Sequence, residues 1–520
     1  MSRWLALGAV LLVAGAVRAR QLEQVGYTFD ESFCVKMASF SVAEIWSRSG
    51  QDTHPPLYFL MLKAWAAVCG ESPQALRALS VLFGLAAVAG VYALVCEAYG
   101  RLPARPPRGG ASPQSPPPEP GATAAALLAA AFVALSPLQI FWSQQVRMYS
   151  AGTALVAWSS LLLLRALHRQ PARGRDWAAY ATAAILMIYT HHFALFTLAA
   201  QALYAAGWLV RRGDGTLLLR LFPLAVTLIA VWLAWQPWLL DFLDQRQRVT
   251  EFFWSKPIDW SLAGGQIYQI FAARHWPGGE GAAGLAIAQA AWVGLLLLVA
   301  GRRPADGFIA LAAFLPIAAA ALASSLGRNI FISRYLMFAH LFLMMAAATL
   351  IVRIPWRLLR WLVAAGALLG LSATAWLHVE LRDKMALLPG LRAAVARFDA
   401  LQRPGELLLV CNPMLYTSVW AWTRDRTACF AEGAHNGYPY FQGTAVMKEE
   451  EYLEADTLTA SDRHWVWTLD ADRWFGHPWT TLLPPQWKCI AETRYREHYA
   501  DLVLRLYERP ASANPAAREQ

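Results

Sequence analysis

Two short acidic stretches follow the first apolar segment of the chain. Asp30 and Glu31 are adjacent, and Asp52 is closely followed by His54 and the pair Pro55–Pro56. Ionisable side chains at a bilayer boundary are costly to hold there, so by default they indicate a functional site. A carboxylate can act as a general base, and the two prolines fix the backbone that presents their neighbours. The competing interpretation is a helix start, which Asp30 caps and whose dipole the acids complement.

Cations and aromatic residues form a second set of candidates between later apolar segments. Arg147 and Tyr149 lie in one such stretch, His191 lies in another, and Arg334 with Tyr335 lies in a third. Arginine is suited to bidentate recognition of phosphate. The alternatives are an arginine that snorkels to lipid headgroups, a tyrosine of the aromatic belt and a polar helix-end turn. Acids together with cations suit a reaction in which a carboxylate deprotonates a hydroxyl and arginine neutralises a phosphate leaving group.

The composition places the elements that carry these residues in a membrane. Hydrophobic residues make up 57% of the 520 residues and charged residues 15%, and the mean hydropathy is +0.34, which excludes an ordinary soluble enzyme. The apolar runs do not alternate and are long enough for helices, the structure that satisfies its own backbone in lipid. We therefore predict a mostly α, polytopic protein of about eleven spans. The predicted spans are 4–19, 75–99, 122–141, 149–167, 177–192, 193–211, 217–239, 284–301, 306–326, 334–352 and 357–378.

Arginine-rich loops set the predicted orientation. The net charge of +10 comes largely from short loops separated by pairs of spans, which indicates a topology signal and not a nucleic-acid site. Placing these loops in the cytoplasm puts 20–74, 142–148, 240–283, 327–333 and everything after 379 outside. Residues 56–69 are too short to cross and are predicted to lie in the interface. Residues 1–20 read as a cleaved signal peptide or as a retained first helix, and we favour the helix because it anchors the acids.

Domain boundaries follow from changes in composition. We predict a transmembrane domain over 1–380, with a first outer loop at 20–74, a Pro-rich cytoplasmic linker at 101–121 and an outer loop at 240–283. Residues 385–510 are predicted to form a small extracytoplasmic α/β domain, and 511–520 a disordered tail. Its predicted strands are 406–411, 464–469 and a pair within 487–508, with helices at 413–422 and 447–454. The six cysteines lack metal-ligand spacing, although one disulfide among the last three is an alternative.

The chain resembles the GT-C membrane glycosyltransferases, in particular the group of protein O-mannosyltransferases and the aminoarabinose transferase of lipid A. The resemblance covers roughly residues 1–350, and its first two motifs are the more specific ones in combination. The matching residues are Asp30-Glu31, His54-Pro55-Pro56-Leu57-Tyr58, Ser136-Pro137, Ser143-Gln144-Gln145-Val146-Arg147-Met148-Tyr149, Thr190-His191 and Arg334-Tyr335.

The resemblance implies transfer of a sugar from a polyprenyl-phosphate donor to a hydroxyl acceptor. The reaction would take place at the extracytoplasmic face of a bacterial cytoplasmic membrane. Asp30 matches the position of the catalytic base, and Glu31 would support it or position the acceptor. Arg147 and Arg334 would contact the donor phosphate. The remaining substrate-binding candidates are Asp52, His54, Tyr58, Tyr149, His191 and Tyr335, and His54 would either organise the first loop or touch the substrate. No cofactor is required, and because some relatives bind a divalent metal and others do not, a metal stays open.

The alternative function is a transporter or flippase of lipid-linked glycans without catalysis. A transporter is expected to place polar groups near the bilayer midplane and often contains inverted repeats. In this chain the predicted charges lie at one face, and no clear repeat is present. The sequence therefore favours the enzyme.

Overall fold

The computed structural model describes residues 3–100, 121–169, 173–211, 216–252, 254–255, 257–272, 280–301, 303–388, 390–461, 463–474 and 477–509. The chain divides into two compact units, which consist of Met1–Leu22 with Thr53–Glu380, and of Glu23–Asp52 with Leu381–Gln520. The predicted first outer loop, 20–74, is thus shared between the units, and its residues 23–52 belong with the C-terminal segment. The predicted Pro-rich linker (apart from residue 121) and the predicted tail lie outside the described residues.

Helices dominate the described part of the chain. In chain order they are α1 (Arg3–Arg18), α2 (Phe29–Ser39), α3 (Val42–Gln51), α4 (Leu57–Cys69), α5 (Pro73–Gly100), α6 (Ala122–Leu135), α7 (Pro137–Ser143), α8 (Tyr149–His168), α9 (Gly174–Thr190), α10 (Ala194–Arg211), α11 (Leu217–Glu251), α12 (Ala263–Ala272), α13 (Glu280–Ala300), α14 (Pro304–Leu326), α15 (Met337–Val352), α16 (Arg357–Ala386), α17 (Gly390–Leu401) and α18 (Pro413–Trp422).

Among the described residues, seven helices are long and apolar enough to cross a membrane, or eight if the bent pair α6 and α7 counts as one span. The seven are α5, α8, α10, α11, α13, α14 and α16. The mostly helical, multi-span architecture is confirmed, but the predicted count of eleven is not. One reason is length, because α15 has 16 residues and a perpendicular span needs about 20. Helix α4 has 13 residues, as expected for an apolar stretch too short to cross.

Two helices of the first unit depart from the predicted spans. The predicted span 122–141 is broken at Ser136, where α6 and α7 meet at an angle of 60°. Ser136 caps α7 by accepting the Gln139 N–H, and Pro137 occupies its first turn. Helix α11 continues to Glu251, so the predicted outer loop 240–283 begins inside a helix and also contains α12.

The second unit contains the predicted C-terminal α/β domain. Its strands are β1 (Leu407–Val410), β2 (Cys429–Glu432), β3 (Tyr452–Leu453), β4 (Trp465–Trp474), β5 (His477–Trp479), β6 (Lys488–Arg496) and β7 (Asp501–Glu508). They form one sheet in the order β3-β2-β1-β4-β7-β6, with β5 paired to β4. The pairings β1–β2, β2–β3 and β1–β4 are parallel, whereas the pairings β4–β7 and β7–β6 are antiparallel. The predicted helix 447–454 is instead a 3₁₀ turn at Glu449–Glu451 followed by β3.

Two short helices from the N-terminal part of the chain complete the second unit. Helix α2 begins with a capping box of Thr28 and Glu31, and α3 with one of Ser41 and Glu44. The prediction that Asp30 caps this helix is therefore wrong. Thr28 is the N-cap, because the reciprocal hydrogen bonds of the T-x-x-E pair favour it there. The side chain of Phe29 packs against the core beneath α18 and β1.

Candidate functional site

Arg147 lies in the loop between α7 and α8, close to His54. Its Nη2 is 3.5 Å from Nε2 of His54, and its Cζ is 5.9 Å from the ring centroid of Tyr149. Arg147 and Tyr149 are buried, with 4% and 0% exposure, whereas His54 is half-buried. Tyr149 is the first residue of α8, so the start of this helix fixes its ring beside the guanidinium. The structure thus brings together three predicted residues from two separate motifs.

His191 occupies the centre of an aromatic cluster where α9 gives way to α10. Its ring centroid is 5.7 Å from that of His54, 5.3 Å from Tyr149 and 6.0 Å from Tyr335. The backbone N–H of Phe193 donates to Nδ1 over 3.2 Å, so a neutral ring carries its proton on Nε2. This buried Nε2 has no hydrogen-bond partner among the described residues. The ring therefore offers a buried N–H donor to a ligand oxygen.

Tyr335 and Arg334 extend the cluster from the segment that precedes α15. The ring of Tyr335 stacks on Phe193 with 4.5 Å between centroids and 15° between planes. The guanidinium carbon of Arg334 lies 5.2 Å from the Tyr335 ring centroid and 5.3 Å from that of Trp254. Cation–π contacts of this kind restrict the position of a guanidinium group. Arg334 therefore joins the cluster through aromatic contacts.

Tyr58 contacts the cluster through Ser80. It is fully buried, and its Oη lies 3.1 Å from Oγ of Ser80. The Ser80 hydroxyl donates in turn to the carbonyl of Arg147 over 3.4 Å. Tyr58 was predicted to bind substrate, and the contacts that the structure gives it fix the backbone of the arginine.

The clustered residues share one set of helix ends. Tyr149 begins α8, His191 follows the last residue of α9, and Tyr335 precedes α15. The opposite ends of these helices adjoin Arg169, Arg173 and Arg353 respectively. The cluster and the arginine-rich loops thus lie at opposite ends of α8, α9 and α15.

Gln144, which the sequence did not single out for its own role, ties the Arg147 loop to the end of α1. Its Nε2 donates to the carbonyls of Val17, Arg18 and Arg20 over 3.1, 3.3 and 3.3 Å. Its Oε1 lies 2.9 Å from Nε2 of His378 on α16. One buried amide thereby connects three segments, and its place beside Arg147 in a polar motif was the available signal.

The guanidinium of Arg18 occupies the break between α6 and α7. It is fully buried and donates to the carbonyls of Val133 and Ala134 over 3.0 and 2.7 Å. A further hydrogen bond joins its Nε to Oγ of Ser143 over 3.2 Å. The last carbonyls of a helix lack partners within it, and Arg18 supplies donors to two of them. A basic residue ending an apolar helix was the only sequence signal.

The three predicted acids belong to the second unit. Asp30 lies half-buried in the first turn of α2. Glu31 is fully buried, and its Oε2 accepts from the N–H and hydroxyl of Thr28 over 3.0 and 3.3 Å. Asp52 caps the end of α3 and is 8% exposed. The carboxylate of Glu31 is thus occupied with the helix start, and Asp30 is the more exposed acid of the pair.

A divalent metal, left open by the sequence, gains no ligand set from the structure. Among the described residues, no group of three or more His, Cys, Asp or Glu side chains has the arrangement of a metal site. The six cysteines are free thiols, so the alternative of a disulfide is not found. The metal stays an untested expectation.

The first-unit cluster has the chemistry of an anion site with aromatic walls. Two guanidinium groups and an imidazole N–H are donors that suit phosphate oxygens. Tyrosine rings present flat apolar faces together with hydroxyl groups. Seven of the ten predicted site residues form this continuous set of contacts, although they come from four separate stretches of the chain. The seven are His54, Tyr58, Arg147, Tyr149, His191, Arg334 and Tyr335.

Comparison with known proteins identifies the fold. No protein-family model matches the chain, and no curated protein matches it in sequence. The structure of ArnT from Cupriavidus metallidurans in the apo state matches with a TM-score of 0.60 and 12% identity, over 96% of this chain and 97% of that one. The structure of the same protein bound to undecaprenyl phosphate matches with a TM-score of 0.58 at 12% identity. ArnT, an aminoarabinose transferase, has the fold that the sequence motifs suggested. The chain is therefore an integral membrane protein with the GT-C fold.

Proposed function

We propose that this protein is a glycosyltransferase that moves a sugar from a polyprenyl-phosphate donor to a hydroxyl acceptor on a glycan, lipid or protein. The observation that carries the proposal is the convergence of Arg147, His191 and Arg334 into one aromatic-walled cluster. These donors suit a phosphate that leaves with negative charge. The GT-C fold supports the same reading, since its solved example ArnT binds undecaprenyl phosphate.

The donor phosphate is the proposed ligand of the cationic groups. When the bond between the anomeric carbon and the phosphate oxygen breaks, the electron pair stays on the phosphate. Arg147 and Arg334 neutralise the developing charge, and Nε2–H of His191 donates to a phosphate or sugar oxygen. The buried position of Arg147 strengthens this interaction because a low dielectric screens it poorly.

Asp30 is the proposed general base. Its carboxylate takes the proton of the acceptor hydroxyl, and the oxygen attacks the anomeric carbon as the phosphate leaves. The products are a new glycosidic bond, the free polyprenyl phosphate and a protonated Asp30. Glu31 supports the base indirectly, since it closes the capping box that fixes the first turn of α2.

The reaction is proposed to take place at the extracytoplasmic face of a bacterial cytoplasmic membrane. Support comes from the opposite helix ends of α8, α9 and α15, where Arg169, Arg173 and Arg353 lie. Positively charged loops favour the cytoplasm. The cluster at the other ends of these helices is then outside, together with the C-terminal domain.

Reconstitution with a defined polyprenyl-phosphate sugar and a hydroxyl acceptor tests the proposal. We expect product with the wild type and a loss of about 100-fold or more in kcat for Asp30→Asn, because a general base contributes about 10²–10⁴. Asp456→Asn, a change of an exposed acid in the same unit, is the matched control. Arg147→Ala is expected to raise the donor KM about tenfold or more, since hydrogen bonds to charged groups contribute about 1.5–3 kcal/mol.

The same assay separates the alternatives. Movement of the donor across the vesicle membrane without product would indicate a flippase. Wild-type turnover by Asp30→Asn would remove the assigned base. Neither movement nor product with any polyprenyl-phosphate sugar would overturn the proposed function as a whole.

A further inference from the structure

The N-terminal end of α2, the helix that carries the proposed base, packs against the C-terminal domain. The ring centroid of Tyr27, just before α2, lies 5.0 Å from that of Trp422. The hydroxyl of Tyr499 donates to the carbonyl of Tyr27 over 3.4 Å. The ring of Phe29 packs against Gly443, where φ is +89° and an added Cβ would lie 3.2 Å from the ring. The positive φ favours glycine at position 443, and a side chain there would press on the Phe29 ring.

Further along α2, Lys36 forms a buried network with three residues of the C-terminal domain. Its side chain is 2% exposed, and Nζ lies 2.6 Å from Oε1 of Glu451. The hydroxyl of Tyr416 donates to the same oxygen over 3.1 Å. The ammonium also lies 4.7 Å from the ring centroid of Tyr416 and 5.3 Å from that of Trp420. Glu451 is itself fixed, because its Oε2 accepts the backbone N–H of Lys448 over 2.8 Å.

A network of this kind is a poor device for stability alone. Removing an ammonium and a carboxylate from water costs several kcal/mol per ion, and a well-packed apolar pair often stabilises a fold equally well. Apolar contacts, however, are not directional in the way that hydrogen bonds and ion pairs are. A salt bridge flanked by a tyrosine hydroxyl and two rings has directional contacts that restrict the position and rotation of the helix.

Because Lys36 and Asp30 lie on the same helix, the rotation that the Lys36 contacts give to α2 also determines where the Asp30 carboxylate lies. The two residues are six positions apart on α2, which corresponds to about 9 Å along the axis and a rotation of roughly 240°. Lys36 therefore points into the domain while Asp30 projects from another side of the helix. A small rotation of α2 about the Lys36 contact would move the Asp30 carboxylate sideways.

We propose that Lys36 is a positioning residue, and that its contact with Glu451, Tyr416 and Trp420 makes the C-terminal domain a working part of the catalytic apparatus. The proposal rests on the proposed function, in which Asp30 is the base. It assigns to the C-terminal domain the task of holding that base in place. Lys36 itself does not contact the substrate in this scheme.

The test compares Lys36→Met and Lys36→Arg with the wild type in the reconstituted transfer assay. Lys36→Met keeps the length of the side chain without its charge, and kcat is expected to fall about 100-fold, the cost of misplacing a reacting group by about 1 Å. The donor KM is expected to change less than about threefold, because the proposed donor contacts are Arg147, His191 and Arg334 and none of them lies on α2. Lys36→Arg restores the charge but not the shape of the ammonium, so it is expected to recover kcat in part, to a value clearly above that of Lys36→Met. Lys488→Met, at an exposed position of β6, is the matched control.

The pH profile supplies a readout that a purely structural role would not change. Burial lowers the pKa of Lys36 to about 8; Glu451 opposes this shift, and Arg48 and Lys448 add to it. Burial and the neighbouring Glu451 hold the pKa of Tyr416 above its usual range, so this phenol stays protonated. Raising the pH through about 8 therefore removes the Lys36 charge, and kcat of the wild type is expected to fall there. Lys36→Arg keeps its charge and should retain kcat to higher pH.

The outcomes separate the two proposals. If Asp30→Asn is inactive but Lys36→Met has the kcat of the wild type, the positioning role is wrong and the proposed function stands. If Asp30→Asn is fully active, the base assignment fails first. The inference is overturned, and the contact is structural, if Lys36→Met loses activity only in proportion to a loss of folded protein, measured by thermal unfolding in detergent. It is also overturned if the kcat of Lys36→Arg is no higher than that of Lys36→Met.

Discussion

Within the described residues, one ring nitrogen of His191 has a hydrogen-bond partner and the other has none. Its ring is buried with 3% exposure, its Nδ1 accepts the Phe193 N–H, and its Nε2 has no partner there. An unsatisfied buried donor costs about 1–3 kcal/mol. Such a cost is readily explained if the donor is satisfied when substrate binds, as expected for a group that contacts a phosphate or sugar oxygen.

The position of this proton leads to a prediction about two conservative changes. Glutamine places its amide nitrogen near the position of Nε2, whereas asparagine places it near Nδ1. We expect His191→Gln to keep the donor KM within about threefold, and His191→Asn to raise it about tenfold, since 1.4 kcal/mol corresponds to a factor of ten. Donor-dependent initial rates measure both. Equal KM values for the two variants would show that Nε2 does not contact the donor.

At the residue scale, the sequence selected side chains that the structure brings together, but it did not predict their contacts. Polar residues at the ends of apolar segments are costly, so Arg147 and His191 could be selected from their positions alone. Their partners could not, because the contact of His191 with Tyr335 joins segments more than a hundred residues apart. The cap of α2 was predictable in principle, since Thr28 precedes Glu31 by three residues and this spacing is typical of a capping box.

The bent pair α6 and α7 shows how one element acquires its shape. A serine followed by a proline removes a backbone donor at residue 137, and the axis turns by 60°. The turn leaves the last carbonyls of α6 without donors. Arg18 supplies them from α1, and its bond to Ser143 joins the two helices across the break. The sequence contained the proline signal, but hydropathy alone predicted one continuous span because both halves are apolar.

Removing the Arg18 guanidinium is predicted to destabilise the bend. Arg18→Met leaves the carbonyls of Val133 and Ala134 without these donors, and the free energy of unfolding is expected to fall by about 2 kcal/mol or more. Arg18→Lys should recover only part of this loss, because a single ammonium does not reproduce the planar fork. Thermal unfolding in detergent measures both, with Arg20→Met at an exposed position as the control. Equal midpoints for Arg18→Met and the control would show that other groups satisfy the bend.

At the scale of the whole molecule, the division of the chain into units differs from its division by hydropathy. Residues 23–52 follow the predicted first span, 4–19, and the sequence assigned them to the transmembrane domain. In the structure they group with residues 381–520. An apolar face on a short helix indicates that it is buried, but not against which partner. The partners of Lys36 lie about 400 positions away, at a distance that local patterns do not reach.

The composite nature of the second unit predicts that residues 381–509 do not form a stable domain alone. Without α2, the apolar surface of α18 loses its covering helix and the carboxylate of Glu451 loses the ammonium of Lys36. Joining 23–52 to this fragment through a Gly/Ser linker of about 20 residues, which spans roughly 25 Å, should restore cooperative unfolding. Circular dichroism and the fluorescence of Trp420 and Trp422 follow the transition. The same fusion with Lys36→Glu, which opposes Glu451 with a like charge, is the control and should melt at a lower temperature. A fragment 381–509 that unfolds at the temperature of the intact fusion would show that α2 is an accessory to this domain and not part of its core.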